Sequence, residues 1–136
     1  MYRRLFKDFL KSSDTLRVYD YGNLLFASDK DGLLPLLEYN TRFPPHRVTV
    51  FDKIMGNAAA LLAVRAGCCE VYSPLGSELA IATLDNYGVR HHLSRVVTFI
   101  QKVGGEEMCP MEKLSIGKDP EEFYRALAKL IQAVEK

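Results

Sequence analysis

The sequence predicts an α/β fold with a mixed sheet of about five strands and an N-terminal β-hairpin. The β-branched and aromatic run of residues 48–51 is typical of a fully buried central strand. The almost wholly apolar segment 57–64 that follows is typical of a helix buried on most sides. Along the whole chain the patterns run in the order α-β-β-α-β-α-β-α-β-α, which indicates a hairpin followed by parallel crossovers. We therefore expect one layered domain over residues 1–136.

The amino-acid composition limits the classes of protein to which the chain can belong. A hydrophobic content of 48% and a charged content of 26% are typical of a soluble globular domain. The net charge of +1 gives no support for a nucleic-acid or membrane partner, and we expect neither. Three cysteines, two of them adjacent, do not indicate a disulfide framework, and the N-terminus lacks the pattern of a signal peptide. We expect a cytoplasmic protein.

The first elements form a helix and a hairpin. Residues 1–11 carry apolar side chains at helical spacing. Residues 15–20 and 24–27 read as two strands, and Gly22 between them suits a turn that needs a positive φ. Residues 33–37 read as a short helix with a proline in its first turn.

The helix over 57–64 is followed by a strand and another helix. Gly67 is a candidate left-handed C-cap, and residues 68–72 read as a strand. Ser77 is the expected N-cap of a helix over 78–87.

The last part of the chain holds a strand, a loop and a helix. Residues 89–98 contain the strand, and residues 104–113 read as a loop. Asp119 and Pro120 have the features of a helix start, and that helix runs to about residue 136.

Charged residues lie between the buried strand and the buried helix, where open α/β sheets place ligands. Asp52 is either a general base or ligand acceptor, or the cap of the helix. Lys53 would add a positive charge to a ligand site at this position. Gly56 allows close approach of a ligand, or makes a packing contact. The N–H groups at the helix start, near Asn57, could hold a phosphate or carboxylate, although no nucleotide-binding motif is present.

Cys109 lies in a polar, Gly-rich loop with Pro110, Glu112 and Lys113 nearby. A thiol near a cation can act as a nucleophile. The alternative is that Cys109 fills a small apolar space beside Pro110.

The pairs Cys68-Cys69 and His91-His92 are poor metal ligand sets, because neighbouring strand residues point to opposite faces. The sequence contains no zinc-binding motif either, so we expect no metal and no cofactor.

Two motifs together resemble a known family. They are residues 52–60, DKIMGNAAA, and residues 109–113, CPMEK. With the hairpin and residues 32–37, they are similar to the bacterial domain-of-unknown-function family 1893, over roughly residues 15–130. The resemblance implies a three-layer α/β/α sandwich of the cytidine-deaminase-like type.

In that superfamily an H-x-E and a P-C-x-x-C at two helix starts build a zinc site. The corresponding stretches here, residues 30–33 and 51–54, contain no histidine or cysteine. The resemblance therefore implies a deaminase-type pocket without its zinc.

Three functions remain open. The first is binding of a small polar or anionic ligand by Asp52, Lys53, Gly56, Asn57, Cys109, Pro110 and Glu112. The second is a zinc-independent enzyme with Cys109 as nucleophile and Asp52, Lys53 or Glu112 as proton-transfer partners. The third is a structural or interaction domain, with a homodimer as one form. We expect the Cys109 loop and the Asp52 helix start to form one site.

Overall fold

A computed structural model describes residues 1–135. Its five-stranded mixed sheet has the order β2-β1-β3-β4-β5 and carries helices on both faces, in a three-layer sandwich. The strands are β1 (Leu16–Asp20), β2 (Asn23–Ser28), β3 (Val48–Asp52), β4 (Cys68–Ser77) and β5 (Arg90–Val97). The helices are α1 (Tyr2–Lys11), α2 (Leu34–Arg42), α3 (Asn57–Arg65), α4 (Glu78–Asn86), α5 (Pro110–Ser115) and α6 (Pro120–Glu135).

The strand directions gather the loops of a site at one edge. Strand β1 is antiparallel to both β2 and β3, whereas β3, β4 and β5 are mutually parallel. The carboxyl ends of the three parallel strands therefore meet at one edge, where open α/β sheets hold ligands. The predicted hairpin is confirmed: Gly22 has φ 83° and Tyr21, just before it, has φ 47°.

The two faces of the sheet bury separate clusters. The side chains of Phe9, Tyr19 and Phe51 form a small aromatic core beneath α1. The larger core lies on the other face, under α2, α3, α4 and α6. Residues 57–63 of α3 are all buried, which confirms the prediction that this helix lies in the core.

Several predicted element bounds need correction. The predicted loop over 104–113 was wrong at its end, because α5 begins at Pro110. Its six residues give too short a pattern to show helical periodicity. Helix α2 runs five residues beyond the predicted 33–37, and β4 continues to Ser77 because its register with β5 extends to that residue.

The predicted caps are confirmed in this part of the chain. Ser77 Oγ accepts a hydrogen bond from the Ala80 N–H at 3.1 Å and so caps α4. Gly67, just after α3, has φ 90°. None of the helices in the described chain is long and apolar enough to cross a membrane.

Candidate functional site

The start of α3 is capped by a carboxylate from far along the chain. Glu112 is 2% exposed, and its Oε1 accepts a hydrogen bond from the Asn57 N–H. Its Oε2 accepts a hydrogen bond from the Ile100 N–H at 2.8 Å. The negative charge lies at the positive end of the α3 dipole, where it is stabilised. The Asn57 N–H, which was predicted to bind an anionic ligand, therefore binds the protein's own Glu112 carboxylate.

The side chain of Asn57 extends this network to two more helices. Its Nδ2 donates to Ser115 Oγ at 2.9 Å, and its Oδ1 accepts a hydrogen bond from the Thr83 hydroxyl. The Ser115 hydroxyl in turn donates to the Glu112 backbone carbonyl at 2.5 Å. Hydrogen bonds from these buried polar side chains therefore join α3, α4 and α5.

Gly56 makes a close packing contact at the same point. A Cβ atom at this position would lie 2.8 Å from Ile100 Cγ1 and 3.0 Å from Glu112 Oε1. Contacts this short are not tolerated without movement of the neighbours. Of the two interpretations of Gly56, the structure shows the packing contact.

Asp52 ends β3 and is half-buried. Of the interpretations of Asp52, the helix cap was wrong, since its Oδ1 accepts from the Ile54 N–H at 3.3 Å, before the helix begins. Desolvation raises the pKa of Asp52 to about 7, although backbone hydrogen bonds from Ile54 and Lys53 oppose the rise. Among residues 1–135, no cationic side chain forms an ion pair with it.

Lys53 turns to the opposite face of the sheet. Its Nζ donates to the Ser12 carbonyl at 3.1 Å and lies 4.9 Å from the centre of the Phe9 ring. Both contacts are beneath α1, whereas Glu112 binds the start of α3 on the other face. The structure therefore brings Gly56, Asn57 and Glu112 together and directs Lys53 away from them.

Cys109 stands at the N-cap position of α5 and is half-buried. Its backbone N–H donates to the Ile100 carbonyl at 2.8 Å, which fixes the loop before the helix. Pro110 follows as the first residue of the helix and is exposed. Glu112 is close in sequence, but both of its oxygens accept backbone hydrogen bonds.

A groove of about 940 Å³ lies at the carboxyl ends of β4 and β5, and we call it the strand-end groove. It combines apolar walls with charged side chains of both signs, and Ile100 of the Glu112 network forms part of it. Its lining residues are Ile54, Leu75, Glu78, Arg95 and residues 96–102 and 104–106.

Comparison with known proteins identifies the family. A family model described as a domain of unknown function, DUF1893, matches residues 5–131. The chain belongs to the DUF1893 family. A search of curated proteins gives no match. The crystal structure of a DUF1893 family protein from Thermotoga maritima, determined at 2.70 Å resolution, is similar with a TM-score of 0.86 and 30% sequence identity. The match covers 93% of this chain and 87% of that one.

The side chains of this DUF1893 chain do not fit a deaminase-type zinc site. Residues 31–33, before α2, and residues 55–57, at the start of α3, contain no histidine or cysteine. Within residues 1–135, no group of three or more His, Cys, Asp or Glu side chains could hold a metal ion. Each oxygen of the nearby carboxylate, Glu112, already accepts a backbone hydrogen bond.

Sequence reasoning missed the groove in this DUF1893 chain. The only local signal was a basic residue near the end of the predicted strand over 89–98, followed by Lys102 and the glycines at 104 and 105. Arg95 and Lys102 lie in different elements, and only the returning loop places both on one cavity.

Proposed function

We propose that this protein binds a small polar or anionic molecule in the strand-end groove. The observation that carries the proposal is the position of this cavity of about 940 Å³ at the carboxyl ends of β4 and β5. Ligands of open α/β sheets bind at this edge. A concave surface with apolar walls and a few charged groups is also typical of small-molecule sites.

Two cations favour an anionic group in the ligand. Arg95 and Lys102 both line the groove, and neither forms an ion pair with any residue in the described chain. An arginine guanidinium suits a carboxylate or phosphate because its N–H groups can donate two parallel hydrogen bonds. Glu78 and Glu106 lie on the same groove and could accept hydrogen bonds from hydroxyl or amine groups of the ligand.

The Glu112 network gives the groove a fixed wall. Glu112 Oε2 holds the Ile100 N–H, and the Ile100 carbonyl accepts from Cys109. Ile100 also fills the space beside Gly56. The two motifs that resemble the family thus support the loop of the groove, and Ile54 of the first motif also lines the groove. We infer that they preorganise the site, which lowers the cost of ordering it on binding.

We further infer a deaminase-like fold whose pocket has lost the metal-dependent reaction. The support is the resemblance of residues 52–60 and 109–113, together with a mixed sheet that carries helices on both faces. The helix start that would supply zinc ligands in a deaminase instead binds the carboxylate of Glu112. Binding is therefore the function that this arrangement supports best.

The alternative of Cys109 as a nucleophile has less support. A nucleophile needs a base within hydrogen-bond reach. Lys53 contacts the other face of the sheet, and Glu112 is occupied by backbone N–H groups.

The test is a titration of the ¹⁵N-labelled protein with inorganic phosphate, citrate and adenosine monophosphate, followed by amide chemical shifts. We expect saturable shifts in residues 95–106 with at least one of these anions. Arg95→Gln should weaken that binding by roughly 10-fold or more, since a hydrogen bond to a charged group contributes about 1.5–3 kcal/mol. Cys109→Ser should bind as the parent does.

Arg125→Gln is the matched control, because Arg125 is an exposed arginine on α6. It should bind as the parent does. Shifts that never saturate, shifts scattered over the surface, or equal losses in the Arg95 and Arg125 variants would contradict the proposal. Loss of binding in Cys109→Ser alone would favour a site at Cys109.

A further inference from the structure

Helix α1 presents a row of cations to solvent. Arg3, Arg4, Lys7 and Lys11 are all exposed, and they recur at helical spacing on the face opposite the aromatic core. The segment 1–13 contains these four basic residues and one acidic residue, whereas the whole chain has a net charge of only +1. No ion pair to any of the four is found among the described residues. Asp8 offsets one of these charges, so the described part of α1 carries a net positive charge.

A row of rings adjoins this helix and ends at the exposed His92. The register places Phe51, Tyr72 and His92 side by side on β3, β4 and β5. The Tyr72 ring contacts the rings of Tyr2 and Phe6 on α1, with centroids 6.1 Å and 5.5 Å apart. The His92 ring lies on the other side of Tyr72, stacked at 4.2 Å and 16°. The His92 side chain is 50% exposed, so a planar ring faces solvent beside the basic helix.

Glu70 fixes the position of that ring. Its Oε2 lies 2.8 Å from His92 Nε2 and 3.9 Å from Arg90 Nη2. The Glu70 carboxylate is nearly buried, while the Arg90 side chain is 69% exposed. The His92 ring is thus held by Tyr72 and by Glu70, and the Arg90 guanidinium lies next to it. A ring fixed in this way loses little conformational freedom when another ring stacks on it.

We propose that the α1 cations together with His92 and Arg90 form a binding surface for single-stranded nucleic acid. Proteins that bind single strands combine a row of cations for the phosphates with aromatic rings on which the bases stack. Both components occur here on one surface. It is separate from the strand-end groove, whose lining includes none of these residues.

A lipid surface fits these observations less well. Helices that lie in a membrane interface bury an apolar face in the bilayer. The apolar face of α1 already packs on the sheet, where Phe9 is fully buried and Tyr2, Leu5 and Phe6 adjoin the aromatic core. The net charge of +1 suggested no nucleic-acid partner, but a sum over the chain does not report how the charges are distributed.

The test is fluorescence anisotropy of a labelled 20-nucleotide oligouridylate with the full chain over a series of salt concentrations. We expect saturable binding at low salt. The variant with Arg3, Arg4, Lys7 and Lys11 all changed to Gln should bind about 10-fold or more weakly, with a smaller slope of log K against log salt. Each phosphate contact contributes about 0.7 to that slope for a single strand. His92→Ala should weaken binding by about 5-fold without changing the slope. His92→Phe should bind as tightly as the parent, because it keeps a ring for stacking.

The matched control changes four exposed cations elsewhere, Lys30, Lys113, Arg125 and Lys129, to Gln; Lys30 pairs with Glu38 on α2, and the other three lie on α5 and α6. It should bind within about twofold of the parent, because these cations lie off the proposed surface. Circular dichroism checks that both quadruple variants remain folded. The proposal fails if the oligonucleotide does not bind at low salt, or if both quadruple variants lose affinity equally. It also fails if vesicles of anionic phospholipid bind to the α1 surface and the oligonucleotide does not.

Discussion

Asp52 is half-buried at the end of β3, and its carboxyl group accepts a hydrogen bond from the Ile54 N–H at 3.3 Å. Removal from water disfavours its charged form, which raises its pKa to about 7. Titratable groups perturbed in this way cluster at functional sites. Ile54, two residues further on, lines the strand-end groove, whereas Asp52 is not among its lining residues.

Asp52→Asn should stabilise the protein at neutral pH. The folded-state pKa of about 7 lies above the ordinary value, so the folded form binds the proton more tightly than the unfolded form does. The parent therefore loses stability as the pH rises from about 4 to about 7, and the loss is complete above that range. The asparagine keeps an acceptor for the Ile54 N–H and has no charge to desolvate.

Urea unfolding at several pH values measures this effect. The free energy of unfolding of the variant should exceed that of the parent by about 1 kcal/mol or more above pH 7. This difference should shrink towards pH 4. Asp31→Asn, at an exposed position, is the control and should follow the parent. If the free energies of unfolding of Asp52→Asn and the parent differ by the same amount at every pH, Asp52 has an ordinary pKa and the prediction is wrong.

At the scale of elements, the start of α3 depends on a residue 55 positions away. The N-cap residue Gly56 has no side chain that could accept the free N–H groups of the helix. Glu112 on α5 takes that role and also holds Ile100, so one carboxylate connects a helix, a short helix and a loop. The ion pair of Arg65 with Glu121 at 2.7 Å makes a second connection, from the end of α3 to α6.

Glu112→Ala should destabilise the protein by roughly 2–4 kcal/mol, because it leaves the buried N–H of Asn57 without its acceptor and removes the acceptor of the Ile100 N–H. Glu112→Gln keeps one acceptor oxygen and should lose less stability than Glu112→Ala does. Thermal and urea unfolding provide the measurement. Glu122→Ala removes a solvent-exposed hydrogen bond at the start of α6, from the Asp119 N–H at 2.9 Å, and should cost less than Glu112→Ala. Equal losses in the Glu112→Ala and Glu122→Ala variants would contradict the capping role.

At the scale of the whole molecule, α3 is the element around which the larger core is assembled. Its alanines at positions 58, 59, 60 and 63 are buried, and α2, α4, α5 and α6 all contact it. Small side chains let these neighbours and the sheet approach the helix closely. The arrangement leaves no solvated side on which a charge could be accommodated.

Ala59→Asp should therefore prevent stable folding or lower the free energy of unfolding by more than about 3 kcal/mol, because it buries an unpaired charge. Ala82→Asp introduces the same side chain at an exposed position of α4 and should change stability much less. Circular dichroism and thermal unfolding compare the two variants. Similar melting temperatures for Ala59→Asp and the parent would mean that α3 is not in the core.

The sequence by itself determined the order of most elements. Residues 48–51 and 57–64 carry almost wholly apolar patterns, and such patterns depend only on neighbours along the chain. Local chemistry also placed the turn at Gly22 and the cap at Ser77, because each acts within a few residues. The α5 helix escaped detection because six residues carry too little periodicity.

Only the tertiary structure decided the partners of the polar residues. The sequence suggested that Asp52 caps α3 and that Lys53 lies with Cys109, but Glu112 provides the cap and Lys53 contacts the layer beneath α1. The groove likewise depends on a loop that returns to the ends of β4 and β5. A hydrogen bond or an ion pair forms between groups that are close in space, and separation along the chain does not fix that distance. The physical reason is that strand pairing and helix packing, which set those distances, arise from the burial of the whole core.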